Sequence, residues 1–251
     1  MNNWEKLIAE YNNMRYFATD PVAVVRRCTT QRDIEVMGIV CSWLALGNRN
    51  QIFKKCCMAY DLMAAKPYEY LMSCQWREYK DSDINFYRMF FYRDFHDLMQ
   101  SLYNVYLQYD TLEEAVFAIS RAQKVGTQHA TSDDPQGAKS ILESLITLLK
   151  ANGIPQNTKS ACKRLCLFLR WMIRRDGIVD LGVWQQLDPA DLLIPLDVHV
   201  NRVARQQGLL TRTSADMRAV QELTANCKKL YPDDPAIMDF ALFGAGYNDK
   251  E

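Results

Sequence analysis

Apolar residues recur at helical spacing along the whole chain, and nowhere do apolar and polar residues alternate long enough for a half-buried strand. Residues 4–15 read as a short amphipathic helix, and Asp20-Pro21 as the start of another. The stretch IEVMGIVCSWLALG, residues 34–47, is apolar on nearly every side, which places it at the centre of a core. Asp33 is its expected N-cap, and Gly47 its left-handed terminator. Further helices are expected over Asn50–Ala65, from Pro67 through Leu71, over Phe95–Tyr109 and over Ala138–Lys150. A capping box at Thr111-Leu-Glu-Glu114 opens one that runs to Arg121. Residues 123–137 are polar and turn-rich, and form the expected long exposed loop. The pattern specifies an all-α fold.

Three stretches raise chemical questions. Residues 76–93 crowd Trp76, Tyr79, Phe86, Tyr87, Phe90, Phe91 and Tyr92 among Arg77, Arg88 and Arg93. Core packing with snorkelling arginines is the plain reading, and a base-stacking surface the sharper one. In the helix expected over Ser160–Arg175, Cys162, Leu165, Cys166, Leu169 and Ile173 share one apolar face. Lys163, Arg170 and Arg174 lie on another stripe, with Lys163 in the first turn. A solvated lysine is one reading of that position. The other is an amine partly desolvated among cations, the condition for a usable nucleophile. A third helix is expected over Val198–Gln207, closed by Gly208, with Asp197 as its N-cap. A carboxylate held ionised at a helix start also suits stabilisation of a cationic sugar, and the two roles are compatible.

Composition narrows the setting. The chain of 251 residues is 49% apolar, enough for a sizeable core, and its formal net charge is zero. Between Lys150 and Arg212, however, ten basic residues stand against five acidic ones. A local cationic face on a neutral protein is therefore expected there. The start MNNWEKLIAEYNN does not resemble a targeting segment, and the longest apolar run contains Glu35 and is too short to cross a bilayer. The eight cysteines mostly occupy apolar helical positions, with no C-x-x-C pair, and there are three histidines. These features point to a reduced, cytoplasmic setting and lend little support to zinc or iron–sulfur ligation.

The segment IPLDVHVNRVARQQG resembles the part of helix-hairpin-helix DNA glycosylases that carries their essential aspartate, written V-D-T-H-V-x-R-V. Leu196, Asp197, Val198, His199, Val200, Arg202 and Val203 follow it. The runs SACKRLCLFLRWMIRR, LDPADLLIPLDVHV and YPDDPAIMDFALFG are similar to a bacterial branch of that superfamily related to the archaeal 8-oxoguanine glycosylases. The resemblance covers about residues 155–246 and is diffuse earlier, where GIVCSWLALGNRNQI is similar to the superfamily's buried helix. Two features depart from the family pattern. The glycine hairpin L-P-G-V-G is replaced by GIPQNTK, and the four-cysteine iron–sulfur loop of the endonuclease III branch is missing after Asp239.

The resemblance implies an all-α fold with two helical lobes, residues 33–135 forming one and residues 1–32 plus 136–251 the other, with a DNA-binding cleft between them. It implies a DNA repair glycosylase with lyase activity that acts as a monomer on double-stranded DNA and excises an oxidised purine, with no metal or diffusible cofactor needed. Lys163 would form the Schiff base, with Asp197 as its carboxylate partner. Lys159-Ser160-Ala161 imitates the Lys-Thr-Ala of endonuclease III, so Lys159 is the alternative nucleophile. Lys159, Arg164, Arg170, Arg174, His199 and Arg202 are the expected DNA contacts. The alternative function is a non-catalytic DNA-binding module on the same scaffold.

Overall fold

The computed structural model describes residues 3–125 and 136–248. The expected loop at 123–137 falls largely outside them. In order, the helices are α1 (Asn3–Tyr11), α2 (Pro21–Val25), α3 (Gln31–Leu44), α4 (Arg49–Leu62), α5 (Pro67–Ser73) and α6 (Tyr92–Tyr106). There follow α7 (Leu112–Val125), α8 (Gln136–Leu148), α9 (Lys163–Ile173), α10 (Val198–Gln206), α11 (Met217–Lys228) and α12 (Met238–Asn248). One short hairpin, β1 (Asn85–Tyr87) with β2 (Phe90–Phe91), joins α5 to α6. Strands of two or three residues are below the length at which alternation registers in a sequence, so the all-α expectation missed them.

The local signals mostly act as read. Asp20 accepts the Val22 N–H ahead of Pro21, and Thr111 Oγ1 accepts the Glu114 N–H. The cap of α3 is a correction. Thr30, not Asp33, accepts at that N-terminus, while Asp33 takes the Thr30 hydroxyl on one oxygen and the Tyr68 N–H at the start of α5 on the other. Both residue types cap equally well, so the choice fell to the tertiary contact with α5.

Helix α3 is buried from Ile34 to Leu44, as its all-round apolarity demands. It packs against α2, α4, α5 and α9. Gly38 permits the close approach of α9, because a Cβ there would lie 2.9 Å from the Phe168 ring. Helix α1 returns to α12, with Tyr11 edge-on to Phe243 at 5.9 Å. The aromatic stretch is core, not surface: Trp76, Phe86 and Phe90 are buried, Phe86 stacks on Phe95 and Phe90 on Trp43. A single apolar cluster reaches from Ile8 to Leu242.

Glu35, the buried acid of the central helix, ties three distant elements together. Its carboxylate accepts the Trp184 indole N–H (2.7 Å), the Tyr106 hydroxyl (2.6 Å) and the N–H groups of Leu112 and Glu113 at the start of α7. Burial pushes its pKa up, against these bonds. Every donor here needs an acceptor, so Glu35→Gln should put an amide NH2 against the Leu112 N–H. We expect a loss of about 1–3 kcal/mol in chemical denaturation. A change below about 0.5 kcal/mol would mean that the carboxylate is not the acceptor for these groups.

Candidate active site

The segment before α9 is built to fix its first residue. Gly153 sits at φ +83°, and a Cβ on it would come 2.5 Å from the Phe90 ring. The neighbouring Asn152 carbonyl accepts the Trp43 indole N–H at 2.8 Å. Arg164 then clamps the turn from the helix side, donating to the Trp43 carbonyl at 2.6 Å and to the Gly153 carbonyl. Burial lowers its pKa. The residue expected to contact DNA is therefore a brace inside the fold. Lys163 opens α9 directly behind Cys162, which adopts a left-handed conformation, and α9 is shorter at both ends than Ser160–Arg175.

Asp197 caps α10 as expected, accepting the Val200 N–H at 2.8 Å. Its other oxygen lies 3.1 Å from the Lys163 amine. The pair is half-buried, with 39% of the lysine side chain and 29% of the aspartate side chain exposed. Burial alone would raise the Asp197 pKa; the Lys163 charge, the Val200 N–H and His199 outweigh it and hold it below the usual carboxylate range. Lys159 is exposed four residues earlier, in the turn that pairs Ser160 with Asp216.

Both charged groups face a cavity of about 560 Å3. Apolar walls come from Phe17, Ile52, Leu167, Phe240 and Phe243, and the Arg49 guanidinium lies over the Phe17 ring at 5.4 Å. Asp20, which pairs with Arg49 at 3.1 Å, and Asp239 add two more carboxylates, and His199 stands at the wall beside Asp197. The size falls within the about 300–1,000 Å3 usual for small-molecule sites. Flat aromatic walls with converging charged groups suit a planar polar ring. Among the described residues, no group of three or more His, Cys, Asp or Glu side chains is placed to hold a metal ion.

Arg170 and Arg174 overturn part of the expected DNA face. They are 2% and 1% exposed, and belong to a buried ion network. Arg170 pairs with Asp180 at 3.1 Å and with Asp239, and Arg174 pairs with Asp180 (2.6 Å), Asp234 (2.8 Å) and Asp176 (2.9 Å). Burial opposes the Arg174 charge, but these carboxylates outweigh it and push its pKa above the ordinary value. Of the expected contacts, Lys159, His199 and Arg202 are exposed.

A family model described as "Protein of unknown function (DUF2400)" matches residues 20–248. The chain belongs to this family. The match takes in Lys163, Asp197, Asp239 and every other cavity-lining residue named above except Phe17. No curated protein and no solved structure matches the chain. Sequence reasoning passed over Asp239 as a site residue. The signal for it was a lone acid in the first turn of α12, whose other residues are almost all apolar. Such an acid needs a buried partner or a ligand.

Proposed function

We propose that this DUF2400 chain is a DNA glycosylase with associated lyase activity, acting on an oxidised purine in double-stranded DNA. The observation that carries the reading is the Lys163 amine 3.1 Å from the Asp197 carboxylate, both on the wall of an aromatic cavity. A two-lobed arrangement with the DNA across the cleft belongs to this proposal. A damaged base extruded from the duplex enters between the phenylalanine walls. Asp197 takes the proton of the Lys163 ammonium as the substrate displaces water from the pair. The neutral amine then attacks the anomeric carbon. The bond to the base breaks with its electron pair leaving on the base, and the base takes up a proton. The nitrogen then loses a proton as the sugar ring opens at its ring oxygen, which takes up a proton, and the resulting imine permits loss of a C2′ proton with elimination of the 3′ phosphate. Asp197, by taking the Lys163 proton, keeps positive charge from building on the nitrogen that attacks the sugar. A non-catalytic DNA-binding module would not need a lysine and a carboxylate facing one cavity, so the enzyme reading is preferred to it.

The test is borohydride trapping with duplexes carrying 8-oxoguanine or an abasic site. A covalent protein–DNA adduct is the expected result, and its absence on both duplexes sinks the proposal. Asp197→Asn gives an independent check. Asparagine retains a cap for the Val200 N–H, so stability should fall by no more than about 1 kcal/mol. Turnover should fall about 100-fold or more, because asparagine cannot take the Lys163 proton. A large drop in thermal stability with normal activity per folded molecule would make Asp197 a cap only.

A further inference from the structure

The ion network behind the cavity does not balance. Lys163, Arg170 and Arg174 supply three cations to five carboxylates, those of Asp176, Asp180, Asp197, Asp234 and Asp239. Such an excess favours proton binding by the most enclosed carboxylates. Burial is the largest influence on Asp180, Asp234 and Asp239, and raises all three; Asp239 is pushed up to about 6. Of these three, Asp239 is the one on the cavity wall. One of its oxygens is held by Arg170, which fixes the carboxyl while the other oxygen is left for the cavity. The side chain is 13% exposed, so a ligand in the cavity can reach it although it is almost enclosed.

Charged neighbours from each packed element bear on that proton. Across the cavity, Asp197 at the cap of α10 favours it, while Lys163 and Arg170 of α9 oppose it. Asp180, behind Arg170, favours it again. The thiols of Cys166 on α9 and Cys227 on α11 feel the Asp239 charge and are themselves pushed up, so they remain protonated. The Asp20–Arg49 pair and His199 complete the titratable rim of the cavity.

We infer that Asp239 is the general acid that protonates the departing base, an assignment that rests on the glycosylase reading of the same cavity. As the bond from the sugar to the base breaks, its electron pair stays on the base nitrogen and the Asp239 proton passes to the base. Lys163 meanwhile gives a proton to Asp197 and bonds to the anomeric carbon. One carboxyl thus loses a proton as the other gains one, and solvent exchange resets both. The arrangement divides two jobs between two aspartates set apart by environment. Asp197, paired with Lys163, starts ionised, and Asp239, crowded by carboxylates and burial, holds its proton below about pH 6.

The experiment separates base release from imine formation. On an 8-oxoguanine duplex, Asp239→Asn should slow base release about 100-fold or more, the usual contribution of a general acid. On an abasic duplex there is no base to protonate, and trapping should fall far less. A proton donor works only while protonated. Wild-type base release should therefore decline about tenfold per pH unit above pH 6, and trapping on the abasic duplex should lack that limb. Unchanged base release in the variant overturns the assignment, and so does an equal loss on both duplexes with thermal stability intact. If the variant does not fold, the wild-type pH profiles decide, and parallel profiles on the two duplexes overturn it. Failure of the wild-type protein to form any adduct sinks the glycosylase reading itself, a different result from an active enzyme indifferent to Asp239.

Discussion

Lys163→Gln should leave no borohydride-stable adduct on either the 8-oxoguanine or the abasic duplex. Glutamine has no amine to form the imine, so the loss should be complete to the detection limit and not a matter of fold. The substitution should leave the scaffold standing. Lys163 occupies the first helical position, its side chain is 39% exposed, and its ion pair is with Asp197. A half-buried pair of this kind contributes about 1 kcal/mol, and removing a cation from a helix N-terminus offsets part of that. Duplex binding measured by anisotropy should change little. Lys159→Gln is the matched control, since Lys159 lies exposed in the preceding turn. Loss of the adduct in that variant, with the adduct retained in Lys163→Gln, would transfer the role to Lys159 and leave Lys163 as a structural partner of Asp197.

Arg174→Met should destabilise the fold more than Glu35→Gln, Asp197→Asn or Lys163→Gln. The guanidinium touches Asp180, Asp234 and Asp176, and Asp180 has no exposure of its own. Methionine fills much of the volume but takes away the charge that those three carboxylates face. Removing one member of a buried ion pair costs about 3–5 kcal/mol, because the remaining charge is stranded away from water. Urea denaturation should show the midpoint falling with an unchanged slope. A loss below about 1 kcal/mol would mean that the network is hydrated and that its carboxylates protonate freely. The same geometry warns against reading an alanine scan at Arg170 or Arg174 as a map of DNA contacts. Lost binding in those variants would reflect lost structure, and the cations to test for duplex affinity are the exposed Lys159 and Arg202.

The local pieces were legible in the order of residues alone. The buried character of α3, the first-turn place of Lys163 and the capping role of Asp197 all follow from periodicity and backbone chemistry within a few residues. The aromatic stretch before α6 likewise packs as hydrophobic bulk, its plain reading. Which stripes meet was settled by packing. Helical spacing puts Lys163, Arg170 and Arg174 on one polar stripe, but spacing does not say whether that stripe sees water. Two loops and α12 bring carboxylates down on its later turns, so Arg170 and Arg174 end inside the protein and Lys163 alone of the three stays half-exposed at the cavity. The 3.1 Å approach of Lys163 to Asp197, and the place of Asp239 beside them, arise from the packing of α9, α10 and α12. Electrostatic partners that are distant in sequence leave no periodic trace, because a charge is paired by whatever the fold carries to it.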